Sequence, residues 1–189
     1  LPVDDLPQTA KITILKYAEN PYFEVEFYSE KEWELLKNEI IKINGEDKSF
    51  FDIYLREDIR KANIKQSEVI GKPILKNNNL SNLNMYISKD GKYKPFVKLV
   101  TVYFNNDILK DVIFVDTPGI NDPNPIRSKV TTNWIHKTDA NIFLTYAKQA
   151  MSEQDFEFID KYLFGVDTSK KITVINKIDT IDGSLEQLK

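Results

Sequence analysis

The chain has 189 residues, a net charge of −3, 41% hydrophobic and 29% charged residues, and no cysteine. This is the composition of a globular protein, and the length suffices for one sizeable core. The acidic balance argues against broad nucleic-acid binding, and the lack of cysteine excludes disulfides and thiolate zinc sites. No apolar run approaches the roughly 18 residues of a membrane span, and no signal peptide is visible. A cytosolic setting fits these features.

The N-terminal residues are predicted to form an irregular segment followed by two strands. Residues 1–8 hold two prolines and two acids, which favours an exposed loop. Ile12 and Ile14 alternate with other side chains, which is the period of a strand. After an Asn-Pro turn, residues 22–28 alternate again. The apolar positions on one face of this second predicted strand are Phe23, Val25 and Phe27.

Two amphipathic helices are predicted next, in an insert of about residues 29–64. Ser29 and Glu32 have the spacing of a capping box, which marks the start of a helix. The apolar residues that follow at helical spacing are Trp33, Leu36, Ile40 and Ile43. Gly45 is expected to end this helix, and Trp33 is expected to anchor the core. The second helix is marked at the same spacing by Phe51, Leu55, Ile59 and Ala62.

The middle of the chain is predicted to contain a loop, a hairpin and a long strand. Residues 77–84 are polar and rich in asparagine, which favours a loop. Asp90 and Gly91 predict a hairpin turn. Residues 96–104 form a strongly β-prone run, and residues 105–107 are expected to turn it back into the following strand. These two strands are therefore predicted to pair antiparallel.

The C-terminal part of the chain alternates strands with helices. The predicted strands are residues 112–115, 140–146 and 171–175, and the first two are expected to be buried. One predicted helix between them runs through Trp134, and another begins at Ser152. This alternation predicts the α/β fold class, with a mostly parallel sheet and crossover helices.

Two polar motifs stand at the ends of these strands. Asp116-Thr117-Pro118-Gly119 follows residues 112–115, and Asn176-Lys177-Ile178-Asp179 follows residues 171–175. Either motif alone is compatible with a polar turn. An acid at the carboxyl end of a buried strand is also a typical ligand-facing position in an α/β sheet. In this order the two motifs resemble the Mg²⁺ and γ-phosphate motif and the guanine-specificity motif of GTPases.

Each motif suits one part of GTP recognition. Asp179 can accept hydrogen bonds from the N1 and N2 groups of guanine, a donor pair that adenine lacks. Such charge-assisted bonds contribute about 1.5–3 kcal/mol each. The Lys177 stem can lie over the purine face, and Asn176 can tie the loop back to a phosphate-binding loop. Asp116 is suited to hold Mg²⁺ through a water, and the Gly119 amide can donate to the γ-phosphate.

Thr9 is the third candidate for this site. It stands directly before the first predicted strand. In GTPases the Mg²⁺-binding threonine of the first switch occupies this location. Its hydroxyl would coordinate the metal, and its backbone carbonyl would orient the attacking water.

Over nearly its whole length the chain resembles the GTPase domain of the dynamin family, nearest its bacterial dynamin-like members. The stretches that carry the resemblance are LPVDDLPQTAKITILKY, SEKEWELL, FVKLVTVYFNNDILKDVIFVDTPGINDP and KITVINKID. The resemblance implies a P-loop GTPase-like sheet flanked by helices, with a helical insert between the first switch and the DTPG strand. The implied site residues are Thr9 in the first switch, Asp116 to Gly119 in the second switch, and Asn176, Lys177 and Asp179 at the guanine.

The same resemblance implies ligands and partners. Mg²⁺ is the implied cofactor, and GTP and GDP are the implied nucleotides. Pairing of two GTPase domains is implied to promote hydrolysis, and lipid membranes are implied to be bound through regions outside this chain. Nucleic acid is not an expected partner. The expected localisation is cytoplasmic, with peripheral membrane association.

One GTPase motif is absent from the sequence. No G-x-x-x-x-G-K-[ST] phosphate loop occurs in the 189 residues. In the family it lies shortly before the position of Leu1, together with the first strand and the first helix. We therefore expect residues 1–189 to be a partial GTPase domain that alone is poorly stable and binds negligible GTP. The intact parent protein is expected to bind and hydrolyse GTP.

Two other functions stay open at this point. The first is a switch GTPase that does not act on membranes, which would lack turnover stimulated by liposomes or by dimerisation. The second is a non-hydrolysing scaffold built on a GTPase fold, which a degenerate phosphate loop upstream would favour. The presence of Thr9, Asp116, Gly119, Lys177 and Asp179 together favours an enzyme over the scaffold.

Overall fold

The computed structural model describes residues 11–88, 90–117, 124–149, 152–164 and 170–180. The chain divides into two compact units, one up to Thr131 and one from Thr132 onward. They are called the N-terminal unit and the C-terminal unit below. No helix in the described ranges is both long enough and apolar enough to cross a membrane.

The N-terminal unit contains a five-stranded sheet and a separate hairpin. Its strands are β1 (Ile12–Tyr17), β2 (Tyr22–Phe27), β3 (Ile40–Ile43), β4 (Glu46–Ser49), β5 (Leu75–Asn77), β6 (Val97–Phe104) and β7 (Phe114–Asp116). The strand order of the sheet is β5-β2-β6-β1-β7, and β3 pairs with β4. β1 runs parallel to β6, and the other pairings are antiparallel.

Short helices connect these strands. They are α1 (Glu30–Asn38), α2 (Phe50–Tyr54), α3 (Arg56–Ala62), α4 (Asn84–Ile87), α5 (Ile108–Asp111) and α6 (Pro125–Ile135), the last of which contains the boundary between the units. The C-terminal unit contains β8 (Ala140–Tyr146), α7 (Glu153–Phe158), a π-helical segment (Ile159–Phe164) and β9 (Lys170–Asn176). β8 and β9 pair in parallel, as their alternation with helices predicts.

The core of the N-terminal unit forms around β2 and β6. The side chains of Phe23 and Val25 point inward from β2, as the alternation predicts, and Val100 and Val102 meet them from β6. Trp33 of α1 is buried in the same core, which confirms it as an anchor, and its indole Nε1 donates to Gln66 Oε1 at 2.9 Å. Burial of apolar area at about 25 cal/mol per Å² makes this cluster the main source of stability in the unit.

The capping box predicted at Ser29 forms, and the helix start predicted at Ser152 has a capping box as well. The Glu32 N–H donates to Ser29 Oγ at 3.3 Å, and the Ser29 N–H donates back to Glu32 Oε2 at 3.0 Å. The same reciprocal pair joins Ser152 and Asp155 at the start of α7. These bonds satisfy amide groups that the first turn of a helix leaves without partners.

The first predicted helix of the insert is shorter than expected. α1 ends at Asn38, and Ile40 and Ile43 lie in the β3–β4 hairpin rather than on a helix. Asn44 and Gly45 have φ values of 53° and 82°. Two successive residues with positive φ form the tight turn that Asn-Gly favours, so the turn chemistry outweighs the helical spacing of the isoleucines.

The predicted pairing of residues 96–104 with the DTPG strand is wrong. β1 lies between β6 and β7, so these two strands are not neighbours. The turn after β6 leads into helix α5 instead of a tight hairpin. The chain thereby passes over β1 before it re-enters the sheet.

The hairpin predicted at Asp90 and Gly91 is also wrong. The residues before the turn form helix α4, and the Tyr93 N–H donates to the carbonyl of Met85 at 2.8 Å. A Cβ at position 91 would lie 2.7 Å from the Asn84 carbonyl oxygen. Glycine is required here by the close approach of two backbone segments, and no strand pair is involved.

The two strands predicted to be buried, residues 112–115 and 140–146, are more exposed than expected. Val112, Ile113 and Phe114 are exposed, and the strand itself begins only at Phe114. β8 has the predicted bounds, but most of its side chains are exposed, as are all side chains of β9. Within the described residues of each unit, no element of that same unit covers these apolar side chains, so an apolar run is not by itself enough to ensure burial.

Candidate functional site

β1 and β7 place one candidate, Asp116, at the edge of the five-stranded sheet. The two strands are antiparallel, and Thr13 pairs with Asp116. β1 therefore begins at the same end of the strand pair at which β7 ends. The other two candidates of this group, Thr9 and Gly119, lie outside the described residues.

The Asp116 carboxyl group has a perturbed environment. The residue as a whole is exposed, yet partial burial of its carboxyl group raises the pKa of Asp116. In the part of the chain that the structure describes, no cation or hydrogen-bond donor opposes this effect. A cation beside the carboxylate would do so, because an opposite charge favours the ionised form. Carboxylate and hydroxyl oxygens are also the donors that Mg²⁺ prefers, so the chemistry of Asp116 fits this metal.

The second group of candidates forms one loop of the C-terminal unit. β9 ends at Asn176, and a short 3₁₀ turn covers Ile178–Thr180. Between them Lys177 has a φ of 56°, in the left-handed region that lysine rarely adopts. The Asn176 side-chain oxygen accepts from the Lys177 N–H at 2.8 Å and closes the turn. Backbone strain of this kind is enriched at binding sites.

Tyr146 lies beside this loop and was not predicted from the sequence. It is the last residue of β8 and pairs with Asn176 in the parallel register. The Lys177 Nζ lies 4.4 Å from the centroid of the Tyr146 ring, which is the geometry of a cation–π contact. An available signal was its position, because the carboxyl ends of adjacent parallel strands meet at one edge of a sheet.

The structure thus brings the candidates together in two separate groups. Asn176, Lys177 and Asp179 share one loop of the C-terminal unit, and all three are exposed. Asp116 belongs to the N-terminal unit. Each group can act on one part of a nucleotide: an acid and a lysine for a base, and a strand-end carboxylate for a metal bound to phosphate.

Comparison with known proteins assigns the chain to a family. The model of the dynamin family matches residues 1–178. The chain belongs to the dynamin family.

Two curated relatives are similar to this chain. Dynamin-like protein 1 of Campylobacter jejuni subsp. jejuni serotype O:23/36 (strain 81-176) is 29% identical over 186 residues, which cover 96% of this chain and 24% of that protein. An uncharacterized protein in the xynA 3′ region of Caldicellulosiruptor sp. (strain Rt8B.4) is 32% identical over 113 residues, which cover 58% of this chain and 28% of that protein. The chain thus spans about a quarter of the length of these relatives.

Two solved structures share the fold. Both are of an oligomerised bacterial dynamin pair described as providing a mechanism for the long-range sensing and tethering of membranes. Each is 26% identical with a TM-score of 0.69, and the matches cover 100% and 98% of this chain and 25% and 30% of those chains. The predicted fold class, an α/β sheet flanked by helices as in a dynamin GTPase domain, is confirmed.

Proposed function

We propose that this chain is part of a dynamin-like enzyme that binds and hydrolyses GTP with Mg²⁺ and couples this cycle to membrane binding or remodelling. The observation that carries the proposal is the Asn176–Asp179 loop at the carboxyl end of β9, where a left-handed Lys177 is held against Tyr146. Family membership supports the same activity for the whole protein. It favours this function over a switch GTPase of another kind and over a scaffold.

In this proposal Asp179 selects the base. Its carboxylate accepts from N1 and N2 of guanine, and the stem of Lys177 covers the purine face. Adenine presents an acceptor and no amino group at these positions, so binding of ATP would leave the carboxylate without its donors. Asn176 shapes the loop through its bond to the Lys177 amide.

Asp116, Thr9 and Gly119 act at the other end of the nucleotide. Mg²⁺ bound with GTP would offset the phosphate charge, and the Asp116 carboxylate and Thr9 hydroxyl would hold it. The Gly119 amide would donate to the γ-phosphate, and the Thr9 carbonyl would orient the attacking water. The β1–β7 pairing supports this assignment, since β1 begins where β7 ends. A phosphate-binding loop would come from sequence outside these 189 residues.

Self-association and membrane contact complete the proposal. The similar structures are of an oligomerised dynamin pair that senses and tethers membranes. We extend to this protein the expectation that two GTPase domains pair and that regions outside this chain bind lipid. A cytoplasmic protein attached peripherally to a membrane is the corresponding localisation.

GTP turnover by the full-length protein, with and without liposomes, tests the proposal. Turnover that rises with protein concentration and with lipid is expected, and Thr9→Ala should abolish most of it. Asp179→Asn should weaken GTP binding about 10- to 100-fold, the loss of one or two charge-assisted hydrogen bonds. Xanthosine triphosphate is the matched control, because its carbonyl at position 2 suits asparagine better than aspartate.

Other outcomes would select another function. Turnover that responds to neither lipid nor protein concentration would indicate a switch GTPase that works away from membranes. A full-length protein that neither binds nor hydrolyses GTP would overturn the enzyme and leave the scaffold.

A further inference from the structure

Positive charge is concentrated in one segment of the N-terminal unit. Residues 61–98 contain eight lysines, no arginine and two acids, a net charge of +6, whereas the rest of the unit carries a net charge of −7. Lysines of this segment that form ion pairs with acids outside it are Lys61, Lys94 and Lys98. Lys72 and Lys76 are exposed, and among the described residues neither forms an ion pair with an acid.

These two lysines belong to the outer edge of the five-stranded sheet. β5 is the last strand in the sheet order, and residues 71–76 (Gly-Lys-Pro-Ile-Leu-Lys) are all exposed. The Gly71 N–H donates to the Tyr28 carbonyl at 2.9 Å, and β5 pairs with β2 from Leu75 onward. The segment is therefore fixed at both ends to the rim of the unit. We call residues 71–76 the basic edge.

Two apolar side chains stand between the lysines of the basic edge. Ile74 is 59% exposed, and Leu75 is 37% exposed. The Lys76 Nζ lies 3.8 Å from the centroid of the Tyr22 ring. Tyr22 thereby adds to the same surface an aromatic ring with a polar tip, a side chain that is enriched where water meets an apolar phase.

Protection of the sheet edge accounts for only part of this sequence. An unpaired edge invites another strand, and lysine and proline on the edge oppose such pairing. Pro73 has no N–H to donate, so an added strand would lack a hydrogen bond there. These features disfavour a strand from a partner protein as the occupant of the edge. They do not explain why an isoleucine is left in water between the two lysines.

The charged groups of the basic edge suit a broad anionic surface better than a single anionic group. Arginine makes the planar bidentate contacts that recognise one phosphate or carboxylate, and residues 61–98 contain none. Lysine is a point charge, and each lysine close to an anionic membrane raises the affinity about fivefold. Exposed apolar side chains gain by entering the membrane interface. The same surface repels the negative charge of the rest of the unit and so turns the basic edge toward it.

We propose that the basic edge is a membrane contact of the N-terminal unit, in which Lys72 and Lys76 bind anionic lipid headgroups and Ile74 enters the interface. The proposed function assigns lipid binding to regions outside this chain, so this contact is additional to theirs. The inference rests on the proposed function for the presence of a membrane and is independent of GTP chemistry. A contact this short orients the unit on a membrane to which other regions hold the protein.

The test uses the full-length protein with a single cysteine, introduced as Ile74→Cys and labelled with an environment-sensitive dye. Ile53→Cys is the matched control, because Ile53 is an exposed isoleucine of α2 that lies outside the basic edge. Vesicles of phosphatidylcholine alone are compared with vesicles of phosphatidylcholine and phosphatidylserine in equal amounts. Polyglutamate serves as an acidic polymer without lipid.

The dye at position 74 is expected to gain at least about twofold in emission with the phosphatidylserine vesicles, because its surroundings lose water. It should respond neither to phosphatidylcholine alone nor to polyglutamate, and the dye at position 53 should not respond at all. Lys72→Gln should raise the lipid concentration for half-maximal emission about 2- to 5-fold. Lys31→Gln removes an exposed lysine of α1 and should leave that concentration unchanged.

Unchanged emission at position 74, on protein that sediments with the vesicles, would overturn the basic edge and leave the proposed function in place. Equal responses at positions 53 and 74 would also overturn it. A response to polyglutamate as large as that to vesicles would overturn the lipid assignment in favour of an acidic protein. Protein that lacks GTP turnover but shows the expected emission would overturn the proposed function and support this inference, so the two failures are distinguishable.

Discussion

The two units differ in how they bury their strands. In the N-terminal unit β2 and β6 are covered, and side chains such as Val25 and Val100 are fully buried. In the C-terminal unit Ile142 and Leu144 of β8 are 58% and 62% exposed, and their partners in the parallel register, Ile172 and Val174, are exposed as well. One unit therefore builds its own core, and the other presents an apolar face.

Among the described residues of the C-terminal unit, the packed face of β8 is the opposite one. Phe143 lies 6.0 Å from Phe158, and Ile135 and Ile159 are buried nearby. Parallel strands are normally covered on both faces, and two strands alone are marginal in water. β9, which leads into the Asn176–Asp179 loop, thus belongs to the unit whose stability depends on additional cover, whereas the N-terminal unit has a core of its own.

Matched leucine substitutions in the two units should differ most in their effect on the free energy of unfolding. Leu36→Ala is expected to lower the free energy of unfolding by about 2–5 kcal/mol, because it opens a cavity in the core. Leu144→Ala should change it by less than about 0.5 kcal/mol in the 189-residue chain. Denaturant unfolding can follow each unit separately, since Trp33 lies in the N-terminal unit and Trp134 in the C-terminal unit.

The same two variants in the full-length protein test whether other segments cover the apolar face of β8. If other segments cover the β8 face there, Leu144→Ala should become costly while Leu36→Ala stays the same. Equal costs of the two substitutions in the 189-residue chain would mean that the face is buried in solution and that the contrast between the units is wrong.

A smaller effect, on nucleotide affinity, is expected from Tyr146, whose ring contacts Lys177 in the C-terminal unit. Tyr146→Leu should weaken GTP binding by the full-length protein about 2- to 5-fold, since an exposed cation–π contact contributes about 0.5–1 kcal/mol. Tyr146→Phe keeps the ring face and should bind as wild type does. Isothermal titration with GTP measures both. A leucine variant with unchanged affinity would show that the Lys177 position does not depend on the ring.

The smallest effect is the acid sensitivity of the N-terminal unit at Glu32. Burial alone would raise the pKa of Glu32, but hydrogen bonds from Lys98 and Ser29 outweigh it and lower the pKa below the ordinary 4.5. The Lys98 Nζ lies 2.8 Å from Glu32 Oε1 and 2.7 Å from Glu26 Oε1. Because the folded pKa is the lower one, the ionised carboxylate contributes stability above pH 4.5, and this is lost as the pH falls through the folded pKa.

Urea midpoints across the acid range test this sign. Glu32→Gln should flatten the decline of stability below pH 4.5. Glu34→Gln, which removes a charge from an exposed ion pair on the same helix, is the control and should leave the decline in place. If the urea midpoint falls with pH equally in wild type and in Glu32→Gln, other groups must cause the acid sensitivity.

Local features of the fold were predictable, and pairings between distant segments were less so. Ser29 and Ser152 start helices because their capping bonds span three residues, a distance that a sequence displays directly. The β3–β4 hairpin was missed because Ile40 and Ile43 also satisfy helical spacing, although Asn44-Gly45 indicates a turn. The β6–β7 pairing was wrong because turn residues say nothing about β1, a strand from far earlier in the chain, lying between them.

The candidate site follows the same rule. Asp116 and the Asn176–Asp179 loop could be proposed as candidates because each is part of a continuous motif at a strand end. Tyr146 contacts Lys177 across 31 residues of sequence, so only its position at the end of a parallel strand, and no local motif, marks it. The exposed β8 face was unpredictable as well, since an apolar strand has the same sequence whether or not anything covers it.

The left-handed backbone at Lys177 sets two selective pressures against each other. A residue other than glycine in this conformation costs roughly 1–2 kcal/mol, so glycine or asparagine would fold more easily there. A library randomised at this position and sorted only for expression should drift toward those two residues. A library sorted for nucleotide retention should keep a long cationic residue such as lysine, because the Lys177 ammonium lies over the Tyr146 ring and neither glycine nor asparagine can replace that contact. The position thereby records, in its amino acid, which of the two properties has been selected.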